Sequence, residues 1–212
     1  MSDRWLDSAP WGVRGLAVAT FVGWAVFPGT TLYTQVLTPH RLLALAALLK
    51  LVYLLAGTAW AFACRAHLEP DNPARPAWFL LSLGLLANFA GQLCLAPFQV
   101  FRNETPFPSV ADIFYVLAYP FLIASLLVLL NAYRESGFPI GSLLERTLIL
   151  AGVGALAAVV AVPILTPVAA TGGPLLDRIL TVAYPVLDLV LLLPLALLLR
   201  IALKLRGSRA GE

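Results

Sequence analysis

Charge is what this chain has least of. Asp, Glu, Lys and Arg together make up 12% of its 212 residues, against about a quarter in soluble globular domains, so water is not its main solvent. Metal-ligating residues are equally scarce. Cys64 and Cys94 form no CxxC pair, and His40 and His67 fall in predicted loops on opposite sides of the membrane, so no metal or haem site is expected. The sequence has no HExxH string, no phosphate-binding glycine loop and no triad-like Ser/His/Asp group. It is therefore read as non-enzymatic and without cofactor. The 14 basic residues are not interleaved with aromatics as on a nucleic-acid surface.

What is present is apolar. Hydrophobic residues make up 60% of the chain and the mean hydropathy is +0.89. Runs of 18 or more apolar residues match a hydrocarbon core about 30 Å thick. Six such runs are predicted as transmembrane helices, at about 12–33, 41–64, 77–99, 110–133, 146–166 and 175–200, followed by a short basic tail over 201–212. The first is expected to remain uncleaved, since no small-x-small site follows it. Pro28 and Gly29 kink it or end it early. Glu69, Pro70, Asp71, Asn72 and Pro73 break the chain after the second span. The stretch from Phe101 to Ser109 ends in a serine suited to cap the fourth. Backbone groups in lipid must be satisfied internally, and period-two patterning is too weak for a barrel. The expected fold is an all-α polytopic bundle forming a single integral membrane domain.

Orientation follows from the basic residues. With the N-terminus inside, Arg4, Arg14, Arg65, Arg75, Arg134, Arg146, Arg200, Lys204, Arg206 and Arg209 are cytoplasmic, while Arg41, Arg102 and Arg178 are external. That bias places both termini in the cytoplasm of a bacterial inner membrane.

The fourth and sixth spans share a pattern: Asp112-x5-Ala118-Tyr119-Pro120 recurs as Asp177-x5-Ala183-Tyr184-Pro185, 65 residues on. The same offset lays the third span over the fifth. This predicts a parallel repeat of helical hairpins, spans 3–4 and 5–6, rather than the inverted repeats of many secondary transporters. Chance likeness between leucine-rich segments is the alternative.

At these residues the chain resembles the multi-helix membrane regions that precede GGDEF-type diguanylate cyclases, and sometimes histidine kinases, in bacteria. The resemblance covers roughly residues 75–195. It rests on the stretch from Arg75 through Trp78 and Gly84, on Pro108-Ser109-x-Ala111-Asp112-x-x-Tyr115 followed by Tyr119-Pro120, and on Ala183-Tyr184-Pro185 with Asp188. Where such regions often carry an acidic residue late in the third span this chain has Gln92, and no GGDEF, EAL or kinase motif occurs in the 212 residues. The resemblance implies signal input at the membrane, from an unknown small ligand, without catalytic output in this chain.

Ionisable groups inside a bilayer are functional candidates by default. Lys50 lies nine residues after Arg41, and Asp188 eleven after Asp177, about 14 and 17 Å along two helices running the same way. Their matched depth predicts an ion pair between the second and sixth spans. A ligand or proton site and simple snorkelling of Lys50 are the alternatives. Asn88 and Gln92, one turn apart, either extend a polar site or make ordinary interhelical bonds. Asp112 and Asp177 suit helix capping. Pro120 and Pro185 are expected to kink their helices beside Tyr119 and Tyr184, which either line a paired cavity for a ligand or polar site or merely flank a structural kink. Gly152 and Gly154 offer a smooth face for packing or homodimerisation. Arg200 and Lys204 share a face of the last helix, suited to anionic headgroups, where they serve as a stop-transfer anchor or meet a cytoplasmic signalling partner. The leading expectation is a membrane-embedded sensory or partner-binding module, with a small transporter or channel subunit as the alternative.

Overall fold

The computed structural model describes residues 39–137, 147, 151–155 and 174–209, with side chains as far as residue 201. The described residues form four long helices and no strand: α1 Pro39–His67, α2 Arg75–Pro97, α3 Val110–Glu135 and α4 Leu175–Arg209. All four are long and apolar enough to cross a membrane. The predicted span at 12–33 lies outside the described residues. Of the one at 146–166, only Thr147 and residues 151–155 are described, and these are helical.

Local chemistry sets each boundary. Pro39 opens α1 and Pro76 falls in the first turn of α2, where a missing N–H costs nothing. Between them the Asn72 side chain accepts from the Ala74 amide at 2.9 Å. α3 starts on a capping box: the Ser109 amide donates to Asp112 Oδ2 at 2.6 Å. It stops at Gly137, whose φ of 81° is a left-handed conformation that favours glycine.

Two predicted ends move outward. Past Pro97, α2 continues as a π-helical turn, Phe98–Arg102, where the third span was expected to end at 99. Proline supplies no N–H, so the ladder widens rather than stops. Asn103 ends it at φ 54°, a left-handed conformation asparagine tolerates. α4 likewise runs through to Arg209, so most of the expected tail is helix. His40 and His67 sit not in loops but in the first turn and at the last residue of α1, bonding the carbonyls of Val100 and Ala63, both at 2.7 Å.

The helices pack as a chain of neighbours: α1 on α2 and the π turn, α2 on α3, α3 on α4. The tightest seam is α2 against α3, built from small residues seven apart. Ala77, Gly84 and Gly91 climb one helix as Ser125, Ala118 and Ala111 descend the other. Ser125 Oγ donates to the Ala77 carbonyl at 2.8 Å. A Cβ at Gly84 would lie 3.3 Å from the Ala118 carbonyl oxygen, and one at Gly91 3.0 Å from that of Ala111. Heptad spacing keeps such residues on one seam of an antiparallel pair. Apolar side chains turn outward instead: Leu45, Leu48, Val52 and Leu55 form an exposed stripe along α1. That inverts the pattern of a helix in water, as expected where lipid is the solvent.

Candidate functional site

Several polar side chains of neighbouring helices meet one face of α3. Asp112, Tyr115 and Tyr119 are spaced i, i+3, i+7 and therefore share a stripe, and each engages a different set of partners.

Asp112 is 8% exposed and doubly used. Its Oδ2 closes the cap with Ser109, while its Oδ1 accepts from the Tyr184 hydroxyl on α4 at 2.5 Å. A carboxylate has acceptor capacity for both. One helix turn beyond, the Tyr115 hydroxyl donates to Gln92 Oε1 on α2 at 2.9 Å, and Gln92 Nε2 donates on to Gln99 Oε1 in the π turn, also at 2.9 Å. Gln92 is only 1% exposed, so this is a buried amide relay. Lys50 reaches the same tyrosine from α1, its Nζ 4.9 Å from the ring centroid. Further along, the Tyr119 hydroxyl donates to Asp188 Oδ1 on α4 at 2.6 Å.

Two tyrosine–aspartate bonds thus clasp α3 to α4, crossing in opposite senses: the donor is on α4 in one and on α3 in the other. The rings of Tyr119 and Tyr184 stand 6.3 Å apart, and Phe107 lies 6.5 Å from Tyr184. Residues 112 and 119 of α3 meet 184 and 188 of α4 in that order, so the two helices run parallel. Pro120 and Pro185 lie inside α3 and α4, each directly after a clasping tyrosine, and α4 contains Pro194 as well.

The predicted ion pair does not form. No salt bridge joins Lys50 to Asp188; each uses a tyrosine of α3 instead. Their depths along two helices match, but α1 packs against α2 and the π turn while α4 packs against α3. Equal depth does not make helices neighbours. Asn88 and Gln92 also part company: Asn88 Nδ2 bonds the Gly84 carbonyl of its own helix at 3.2 Å. Asp112 is a cap as expected. Asp177 lies in the first turn of α4, and its Oδ1 has no hydrogen-bond partner among the described residues.

Sequence reasoning passed over Tyr115 and Gln99 as site residues. Tyr115 falls between Asp112 and Tyr119 on their stripe, and Gln99 lies two helical turns after Gln92, so the helical period carried a signal for both. Among the described residues no group of three or more His, Cys, Asp or Glu is placed to hold a metal.

Compared with protein-family models, curated proteins and solved structures, the chain matches none.

Proposed function

We propose that this chain is a sensory or partner-binding module of a bacterial inner membrane, acting without catalysis of its own. In this reading it crosses the membrane six times, with both termini cytoplasmic. The observation that carries the proposal is the contrast between two helix interfaces. The α2–α3 seam is locked by backbone approach at Gly84 and Gly91. The α3–α4 interface carries two side-chain bonds, Tyr184 to Asp112 and Tyr119 to Asp188. Interhelical polar bonds in membranes contribute about 0.6 to 2 kcal/mol each, which a ligand or partner can readily offset. α4 is 35 residues long, about 52 Å against a hydrocarbon core of about 30 Å. Movement of α4 along α3 would therefore displace a basic helical end containing Arg200, Lys204 and Arg206 outside the bilayer. A two-position element of this kind is what signal transfer requires.

Beyond the four described helices, the apolar run 12–33 supplies one crossing, and because α3 and α4 run the same way the chain has to return across the bilayer between them. The apolar stretch 146–166 is long enough to do so. The resemblance to membrane regions of diguanylate cyclases and histidine kinases points to the same role, with a cytoplasmic signalling protein or a second copy as partner.

Spin labels at Asn131→Cys and Leu199→Cys, both exposed positions, in a background without Cys64 and Cys94, test the mobile interface in liposomes. Adding Tyr184→Phe and Asp188→Asn should shift or broaden the inter-label distance by several ångströms. A distribution identical to the parent's would mean that the clasp controls no movement, and the sensory reading would fall.

A further inference from the structure

α4 carries two unlike faces. Ile179, Val182, Val186 and Val190 are exposed along one, while Asp177, Tyr184 and Asp188, spaced i, i+7, i+11, lie on the other. The tyrosine–aspartate bonds turn that second face towards α3. A closed interface would bury it. Yet no residue from Leu175 to Leu193 is buried, and Asp188 is exposed even on this side. The two helices are joined by their clasps without closing over them.

The opening is acidic and aromatic. Among the described residues the side-chain partners of Asp112 and Asp188 are Ser109 and two tyrosines, with no lysine or arginine. Asp188 accepts through Oδ1 and leaves Oδ2 without a hydrogen bond there, and Asp177 adds a buried Oδ1 that is likewise unpartnered. Carboxylates in a membrane span are costly without a counter-charge. The rings of Tyr119 and Tyr184 stand 6.3 Å apart and tilted by 52°, so a cation seated between them lies within the about 6 Å at which a ring face attracts it. Each hydroxyl donates to a carboxylate, which polarises the phenol and leaves the ring face richer in electrons. The carboxylates do not gather as metal ligands do, since no group of three or more His, Cys, Asp or Glu is so placed among the described residues. Surplus negative charge beside aromatic faces selects an organic cation.

We propose that the α3–α4 opening binds a primary ammonium ion, with Asp188 as its counter-charge and the rings of Tyr119 and Tyr184 against its charged end. The N–H groups reach the unused carboxylate oxygen in charge-assisted bonds that a quaternary ammonium cannot form. The ion would be the ligand of the clasp, so the site rests on the sensory reading of that clasp.

Isothermal titration calorimetry of the full chain in lipid nanodiscs with butylammonium chloride, at constant ionic strength, tests it. Wild type should bind saturably at one site, and tetramethylammonium or sodium at equal concentration should displace little. Asp188→Asn should weaken binding about tenfold or more. Tyr119→Leu should weaken it further than Tyr119→Phe, which keeps the ring, and Glu135→Gln, at the far end of α3, should leave it unchanged. Absence of saturable binding, equal binding by Asp188→Asn, or equal competition by tetramethylammonium or sodium would overturn the site. If Asp188→Asn does not fold, the two Tyr119 variants decide, and equal binding by both rejects the proposal. Butylammonium binding that leaves the 131–199 label distance unchanged would uphold the site and count against the sensory reading. A clasp-dependent distance in a protein that binds no butylammonium would overturn the site and leave that reading standing.

Discussion

Tyr115 and Tyr119 stand one turn apart on α3, yet their hydroxyls serve different helices: Gln92 on α2 and Asp188 on α4. Each is an amphipathic side chain whose ring is at home in lipid and whose hydroxyl needs a partner there. The partner therefore decides what each residue does. Asp188 is coupled to Tyr119 and not to Lys50, and double-mutant cycles read by thermal unfolding in detergent distinguish the two. Tyr119→Phe with Asp188→Leu should be non-additive by about 0.5 kcal/mol or more, whereas Lys50→Met with Asp188→Leu should add within about 0.5 kcal/mol. Strong coupling in the second cycle would restore the ion pair expected from sequence.

The tight element is the α2–α3 hairpin, where small residues at seven-residue spacing bring the backbones together. Gly91→Ala would put a methyl 2.9 Å from the Tyr115 ring and 3.0 Å from the Ala111 carbonyl oxygen. One obstacle is backbone, so the helices have to separate. The expected loss is about 1 to 3 kcal/mol, despite the better helix propensity of alanine. Gly84→Ala meets Leu122 at 2.6 Å, with the Ala118 carbonyl oxygen farther off at 3.3 Å. A side chain can turn aside more easily than backbone can move, so its loss should be the smaller. Thermal unfolding of both variants checks the order. Gly91→Ala should also loosen the Tyr115–Gln92 bond, because the same ring takes the strain. A Gly91→Ala protein as stable as wild type would show that the seam is not close-packed.

For the whole molecule the decisive prediction is orientation. In a background lacking Cys64 and Cys94, single cysteines in the 68–73 loop should react only with membrane-permeant thiol reagents, and those at 103–107 also with impermeant ones. The reverse pattern would invert the proposed topology and move Lys50 and Tyr115 to the cytoplasmic leaflet.

Much of this architecture is set by sequence alone. Length and hydropathy of the apolar runs select membrane-spanning helices, because an unsatisfied backbone in lipid has no other outlet. Proline, Ser109 and Asp112 set the start of α3, because capping is local chemistry. The α2–α3 seam was also encoded, in Ala77, Gly84 and Gly91 against Ala111, Ala118 and Ser125, though it shows only when the two helices are aligned antiparallel. Lateral order was not encoded in this way. Depth along a helix follows from counting residues, but which helices touch depends on the summed packing of every face. So Lys50 and Asp188, matched in depth, lie on helices that are not packing neighbours, while Tyr184 meets Asp112 across 72 residues. Periodicity assigns a residue to a face, and only the tertiary structure decides what that face meets.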